Sequence, residues 1–194
     1  MKKAPLKVGF DLDGVILYNP ARIARPIVAL IKKKLLKKKK LKFYVPDSPH
    51  EKFLWRIFHW SSLFIAPGFK EVKPLADKKH IEPYIITARF DFLKHDFHKW
   101  IQRGKIDTYF KAWFHNSKNE QPHLFKERMI RELDLDVFIE DNYDIVNHLH
   151  KVFPDKEIIW VYNLLDRQVD YENRSPHLKH AIGRVKKLID ERKK

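Results

Sequence analysis

Asp11 and Asp13 stand two residues apart in Phe10-Asp11-Leu12-Asp13-Gly14, directly after the short apolar run Leu6-Lys7-Val8-Gly9-Phe10. Two carboxylates at that spacing beyond a buried strand form a site for a hard divalent cation. Mg2+ prefers oxygen ligands and usually keeps several waters beside one or two carboxylates and a substrate phosphate. The same pair suits covalent chemistry. A carboxylate attacking a phosphate dianion meets charge repulsion that a metal and a lysine must offset. Asp11 would form an aspartyl-phosphate and so split hydrolysis into two steps. Asp13 would protonate the leaving oxygen and later deprotonate the attacking water. Gly14 permits the tight backbone that exposes both groups. The plainer alternative is an acidic surface turn.

The elements around this pair are strands alternating with helices. Strand candidates are Leu6–Phe10, Tyr84-Ile85-Ile86 running into Thr87-Ala88-Arg89, Val137-Phe138-Ile139 running into Glu140-Asp141, and Ile158–Tyr162. Each is a brief apolar run, as buried strands are. Between them, Asp91 can cap a helix with Phe92, Leu93, Phe97, Trp100 and Ile101 on one face and Gly104 at its end. Pro122 suits the first turn of a helix reaching Leu133. Ile145–Val152 and Leu178–Arg192 are two more. The alternation predicts an α/β fold, a Rossmann-like parallel sheet flanked by helices. Ligands of such sheets bind beyond the carboxyl ends of the strands, which would gather Asp11, Thr87 and Asp141.

These segments also carry a resemblance. Val8-Gly9-Phe10-Asp11-Leu12-Asp13-Gly14-Val15 resembles the first motif of the haloacid dehalogenase (HAD) superfamily, Ile85-Ile86-Thr87-Ala88-Arg89 its second, and Phe138-Ile139-Glu140-Asp141-Asn142 its fourth. The Thr-Ala-Arg form with a paired acid is closest to the 5'(3')-deoxyribonucleotidase-like branch, which often has two aspartates where this chain has Glu140-Asp141. The resemblance implies a HAD-like core and a Mg2+-dependent phosphatase. Asp11 and Asp13 would be catalytic, with Asp141 completing a metal site of Asp11, Asp13 and Asp141. Thr87 and Ala88 would bind the substrate phosphate. Glu140 would sit beside the metal, and Asp144 would either share that role or cap a helix. The family also needs a lysine, and Lys118 and Lys126 lie in the expected interval. At about 100° per residue, Phe125, Met129, Ile130 and Leu133 mark a core-facing arc that includes Lys126, where a merely solvated lysine would be unusual. Lys126 is therefore the expected catalytic and phosphate-binding lysine. Arg89 is read as anchoring its loop through an acid rather than reaching the phosphate.

A stretch of about 18–66 interrupts the alternation. It holds a basic helix-like segment, Ile23–Lys42, and an aromatic one, Glu51–Ile65, with Trp55, Phe58 and Trp60. It is read as a small helical cap inserted after the first strand, with 1–17 and 67–194 as the catalytic core. Its aromatic side chains would either stack on a nucleobase or form the core of the cap. His59, His95, His98 and His115 show no metal-binding spacing.

Composition narrows the partners without choosing one. The 194 residues carry a formal net charge of +15 and a hydrophobic share of 44%, enough for one packed domain. No acidic residue falls between Gly14 and Pro46, where Lys32 to Lys42 form a dense basic tract. Such a field favours anions: phosphorylated metabolites, nucleic acid or an acidic membrane surface. The chain has no cysteine, which excludes thiolate zinc sites and a Cys nucleophile. No apolar run is long enough to span a membrane, and Asp11 and Asp13 break the one that follows the charged Met1–Pro5, so no signal core forms. A cytoplasmic location is expected. The leading expectation is hydrolysis of a nucleoside 5'-monophosphate. A phosphatase acting on nucleic-acid ends, or a weakly catalytic protein that binds nucleic acid or membrane through Lys32–Lys42, are the alternatives.

Overall fold

The computed structural model describes residues 4–18, 41–60, 64–163 and 166–193. Its centre is a six-stranded parallel sheet of β1 (Leu6–Phe10), β4 (Ile81–Phe90), β5 (Ala112–Asn116), β6 (Val137–Glu140), β7 (Glu157–Val161) and β8 (Arg174–Ser175). The spatial order is β5-β4-β1-β6-β7-β8, with Phe10 of β1 paired to Ile85 of β4 on one side and Ile139 of β6 on the other. The helices are α1 (Pro49–Trp60), α2 (Val72–Asp77), α3 (Lys94–Arg103), α4 (Pro122–Leu133), α5 (Tyr143–Val152) and α6 (Leu178–Lys193).

Side chains alternate across the pleat, and this divides the core in two. Val8, Phe10, Ile85, Val137, Ile139 and Ile159 join one layer with Phe97 and Ile101 of α3, Val72 and Leu75 of α2, and the apolar stripe of α6. Tyr84, Ile86, Phe138, Ile158 and Trp160 join the other with Phe125, Met129 and Ile130 of α4 and Val146 and Leu149 of α5. Strands buried on both faces read as continuous apolar runs, as Tyr84–Ile86, Val137–Ile139 and Ile158–Val161 do. Gly9 falls on the second face: a Cβ there would lie 2.6 Å from Leu135 and 2.7 Å from Phe138.

Within the six-stranded sheet, two strands add to those expected. The edge strand β5 is half-exposed, with Trp113 open to solvent, so its Ala-Trp-Phe-His-Asn sequence lacks the apolar run that marks its neighbours. β8 is two residues long. On α3 the expected cap differs: Asp91 opens a 3-10 turn over Asp91–Leu93 and the α-helix begins at Lys94. Gly104 follows that helix with an ordinary right-handed backbone, at φ −82°.

The insertion leaves the core beside the first motif. Leu17–Tyr18 (β2) pairs antiparallel with Phe64–Ile65 (β3), which brings its two ends side by side. The aromatic helix α1 spans Pro49–Trp60 rather than Glu51–Ile65, because Ser48 and Glu51 form a reciprocal capping box. Ser48 Oγ accepts from Glu51 N at 3.2 Å, and Glu51 Oε2 accepts from Ser48 N at 2.9 Å. The basic segment lies outside the described residues except for Leu41 and Lys42, which are irregular. The chain rejoins the core at Gly68, whose φ is +99° and where a Cβ would lie 2.5 Å from the Lys179 backbone, so no side chain fits.

Candidate active site

The carboxyl ends of β1, β4 and β6 meet, and each delivers its motif there. Asp11 follows Phe10, its N–H donating to Ile139 O at 2.9 Å. The chain then folds through Leu12–Leu17, with Ile16 and Leu17 N–H both donating to Leu12 O, and Gly14 takes a left-handed φ of +94°. Asp11 and Asp13 are both almost fully buried.

Glu140 shares the parity of Phe138 and so projects toward α4, where Lys126 waits. Lys126 is 2 % exposed, Glu140 is fully buried, and the two are joined by a short ion pair. The same Nζ lies 3.1 Å from Asp11 Oδ1. The other oxygen of Glu140, Oε1, accepts the N–H groups of Asp141 at 3.1 Å and Asn142 at 2.9 Å, folding the chain as it leaves β6. Trp160 Nε1 donates to Asp141 O at 3.1 Å, tying the same turn to β7. Asn142 then caps α5 by accepting from Asp144 N at 3.0 Å. The cap is therefore Asn142, and Asp144 is an exposed residue of the first turn.

Ligand atoms of Asp11, Glu140 and Asp141 lie within 4.8 Å of one another. The expected trio of Asp11, Asp13 and Asp141 differs from this cluster by one member. The Asp13 carboxylate is held elsewhere, in a fork with Arg89: Nε donates to Oδ2 and Nη2 to Oδ1, both at 2.7 Å. Backbone geometry explains the aim of Arg89. The β4–β5 register runs Thr87↔His115 and then Phe90↔Asn116, so Ala88 and Arg89 form a bulge that redirects the side chain. Arg89 thus anchors an acid. Thr87 is buried on the same edge, its Oγ1 accepting from Arg89 N at 3.3 Å, and half-buried Ala88 lies between the two. Lys118 is exposed in the turn after β5, whereas Lys126 is buried against Asp11. Of the aromatic residues of α1, Trp55 is half-buried with its ring 6.1 Å from His59, while the side chains of Phe58 and Trp60 lie outside the described set.

Three carboxylates and one lysine carry an excess of negative charge into a dry site. Burial, together with Glu140, Asp141 and Asp13, pushes the Asp11 carboxyl well above its usual range despite Lys126. Burial and Asp141 likewise raise Glu140 against the pull of Lys126. Burial would depress Lys126, but Asp11 and Glu140 outweigh it and keep the ammonium charged. Asp13 is the opposite case. Burial raises it, yet Arg89 and then His59 overcome that and hold its carboxyl well below the usual range.

A buried, oxygen-only cluster with uncompensated negative charge fits a hard divalent cation such as Mg2+. Binding it requires ionised carboxylates, and burial raises the range in which Asp11 ionises, so metal and proton compete there. The rise in thermal midpoint on adding Mg2+ should therefore grow from about pH 5.5 to about pH 7.5, measured by scanning fluorimetry against a chelator control. A shift that shrinks with pH would contradict the cluster. The Arg89–Asp13 fork makes a separate prediction. Arg89→Met should cost about 3–5 kcal/mol at neutral pH in urea unfolding, because Asp13 stays buried after losing its guanidinium partner. Asp13 is depressed in the fold, so its contribution is present above its unfolded value of about 3.9 and lost as pH falls through the folded value. The deficit should accordingly narrow as pH falls below about 4.

No protein-family model matches the chain, and no curated protein sequence is similar to it. Solved structures are similar over nearly its whole length. A HAD hydrolase of family IA, variant 3, from Entamoeba histolytica shares 14% identity at a TM-score of 0.59, covering 95% of this chain and 99% of that one. The HAD-type protein YfnB of Bacillus subtilis, bound to magnesium, gives 11% and 0.59 over 95% and 100%. CbbY from Rhodobacter sphaeroides, in complex with phosphate, gives 13% and 0.53 over 89% and 94%. With a parallel six-stranded sheet covered on both faces and an acidic cluster at its carboxyl edge, this chain has the HAD-like α/β fold.

Proposed function

We propose that the protein is a Mg2+-dependent phosphomonoester hydrolase that works through an aspartyl-phosphate on Asp11, with nucleoside 5'-monophosphates as its substrate class. The observation that carries this reading is the placement of Lys126: a buried ammonium spanning Asp11 and Glu140, beside Asp141. A structural lysine gains little from such a position, whereas a nucleophilic carboxylate that must approach a dianion needs a fixed positive charge there.

Asp11, Glu140 and Asp141 would hold the metal, with Glu140 already committed by both oxygens to Lys126 and to backbone N–H groups and so acting mainly as the organiser. When bound, Mg2+ supplies positive charge that offsets repulsion between carboxylate and phosphate. Thr87 and Ala88 would orient the phosphate with Lys126. An Asp11 oxygen forms a bond to phosphorus as the bond to the leaving oxygen breaks, and that oxygen takes its proton from Asp13. Water then attacks phosphorus, its proton passes to Asp13, and the Asp11–phosphorus bond breaks. Ionised Asp13, held by Arg89, suits the second step. For the first, Asp13 must take up a proton from solvent before it serves the leaving oxygen.

Residues 18–66 would serve as the cap and the rest as the core. The nucleotide assignment is supported by the Thr87-Ala88-Arg89 motif and by half-buried Trp55, one turn from His59, which itself reaches the site. A panel of nucleoside monophosphates, sugar phosphates and 3'-phosphorylated oligonucleotides, assayed with Mg2+ and with chelator, tests the proposal. Nucleotides should turn over fastest and only with metal. Preference for sugar phosphates would overturn the substrate class, preference for oligonucleotide ends would favour the basic tract as a clamp, and activity in chelator would overturn the mechanism.

A further inference from the structure

Helix α1 reaches the site at a point that phosphoryl transfer by itself does not demand. His59, in its last turn, places Nδ1 3.4 Å from Asp13 Oδ2, with side-chain exposures of only 12% and 8%. Arg56, three residues earlier and so on the same face, forms a fork with Asp96 of α3: Nε to Oδ2 at 2.6 Å and Nη2 to Oδ1 at 2.8 Å. The inserted helix is therefore seated on the core at two places, one structural and one inside the site. Asp13 is flanked on both sides, by the Arg89 fork and by the nearby His59 ring. Arg89 comes from the core strand β4 and His59 from the insertion, and both meet at Oδ2.

We infer that His59 is a positioning residue for Asp13, delivered by the docked seat of α1, and that the Arg56–Asp96 fork sets that seat. The orientation of the acid/base carboxyl then depends on where the insertion rests. An enzyme built this way protonates its leaving group well only while the inserted helix is docked, which couples chemistry to closure over the substrate. The inference rests on the reading of Asp13 as the acid that serves the leaving oxygen.

That role gives a readout which general damage does not share. An alkyl leaving oxygen needs the Asp13 proton as its bond to phosphorus breaks, whereas p-nitrophenolate leaves without one. Single-turnover phosphorylation should be measured with a nucleoside 5'-monophosphate and with p-nitrophenyl phosphate. His59→Ala should slow the alkyl substrate about tenfold to a hundredfold and the nitrophenyl substrate less than about twofold. His59→Asn, which keeps a nearby donor, should recover part of the loss. Arg56→Ala should reproduce the same selective loss more mildly, and its side chain is far more exposed than that of His59, at 42% against 12%, should the His59 variants fold poorly. Equal losses on both substrates, or none on either, would overturn the inference while leaving the phosphatase intact. A wild-type protein that phosphorylates with neither substrate would overturn the reading beneath it and the inference together.

Discussion

Asp11→Asn is expected to lower kcat by about 10^4-fold or more and to make the metal-free protein more stable. The first effect follows from removing the attacking oxygen, since losing a nucleophile alone is usually as damaging as losing the whole constellation. The second follows from the charge balance. Asp11 is buried with Glu140 and Asp141 against a single lysine, and its ionisation is held above the normal range. A neutral amide of the same shape removes one of three buried negative charges while Lys126 keeps Glu140 as its partner. The gain should be on the order of 1 kcal/mol at neutral pH, read as a higher urea midpoint in chelator. Stability stored against function in this way is common at active sites. The Mg2+-dependent rise in thermal midpoint should shrink in the same variant, because one ligand has been neutralised.

Lys126→Met should have the opposite effect on stability and a similar one on rate. Methionine fills much the same space but leaves Asp11 and Glu140 buried without a cation, which costs about 3–5 kcal/mol when one partner of a buried pair is removed. Activity should fall about a thousandfold, as expected for loss of a preorganised charge facing the transition state. The pH dependence fixes the sign. With Lys126 gone, the folded-state values of Asp11 and Glu140 rise further above their unfolded ones, so the native state holds more protons than the unfolded state in between. Stability is then greatest at low pH and lost as pH rises toward neutrality. Equilibrium unfolding at about pH 5 and about pH 7.5 should show a larger deficit at the higher pH. A constant deficit would mean that Lys126 acts only through packing.

Much of this arrangement was legible in the amino-acid order. The central strands announce themselves because burial on both faces leaves unbroken runs such as Tyr84-Ile85-Ile86 and Val137-Phe138-Ile139, and the carboxyl-edge rule then brings Asp11, Thr87 and Asp141 to one place. Lys126 stands out because a charge on the apolar arc of α4 is costly without partners. Those partners, Asp11 and Glu140, lie on two different strands and become visible only when β1 and β6 pair. The fate of Asp13 was hidden for a different reason. Its capture by Arg89 depends on a two-residue bulge in β4 opposite β5, an edge strand whose own sequence is too polar to read as buried. His59 was harder still. A lone histidine near the end of an aromatic helix carries no spacing signal, and its approach to Asp13 is a product of how α1 sits on α3 through Arg56 and Asp96. The Ser48–Glu51 capping box, by contrast, is a plain sequence signature for the start of α1.

The central claim is that Asp11 carries the phosphoryl group, and rapid acid quench followed by peptide mass spectrometry tests it most directly. With Mg2+ and a reactive substrate, one phosphoryl group should appear on the peptide containing Asp11. It should be labile to hydroxylamine and absent in chelator or in Asp11→Asn. Turnover with no label on that peptide, or a label on any other residue, would contradict the account.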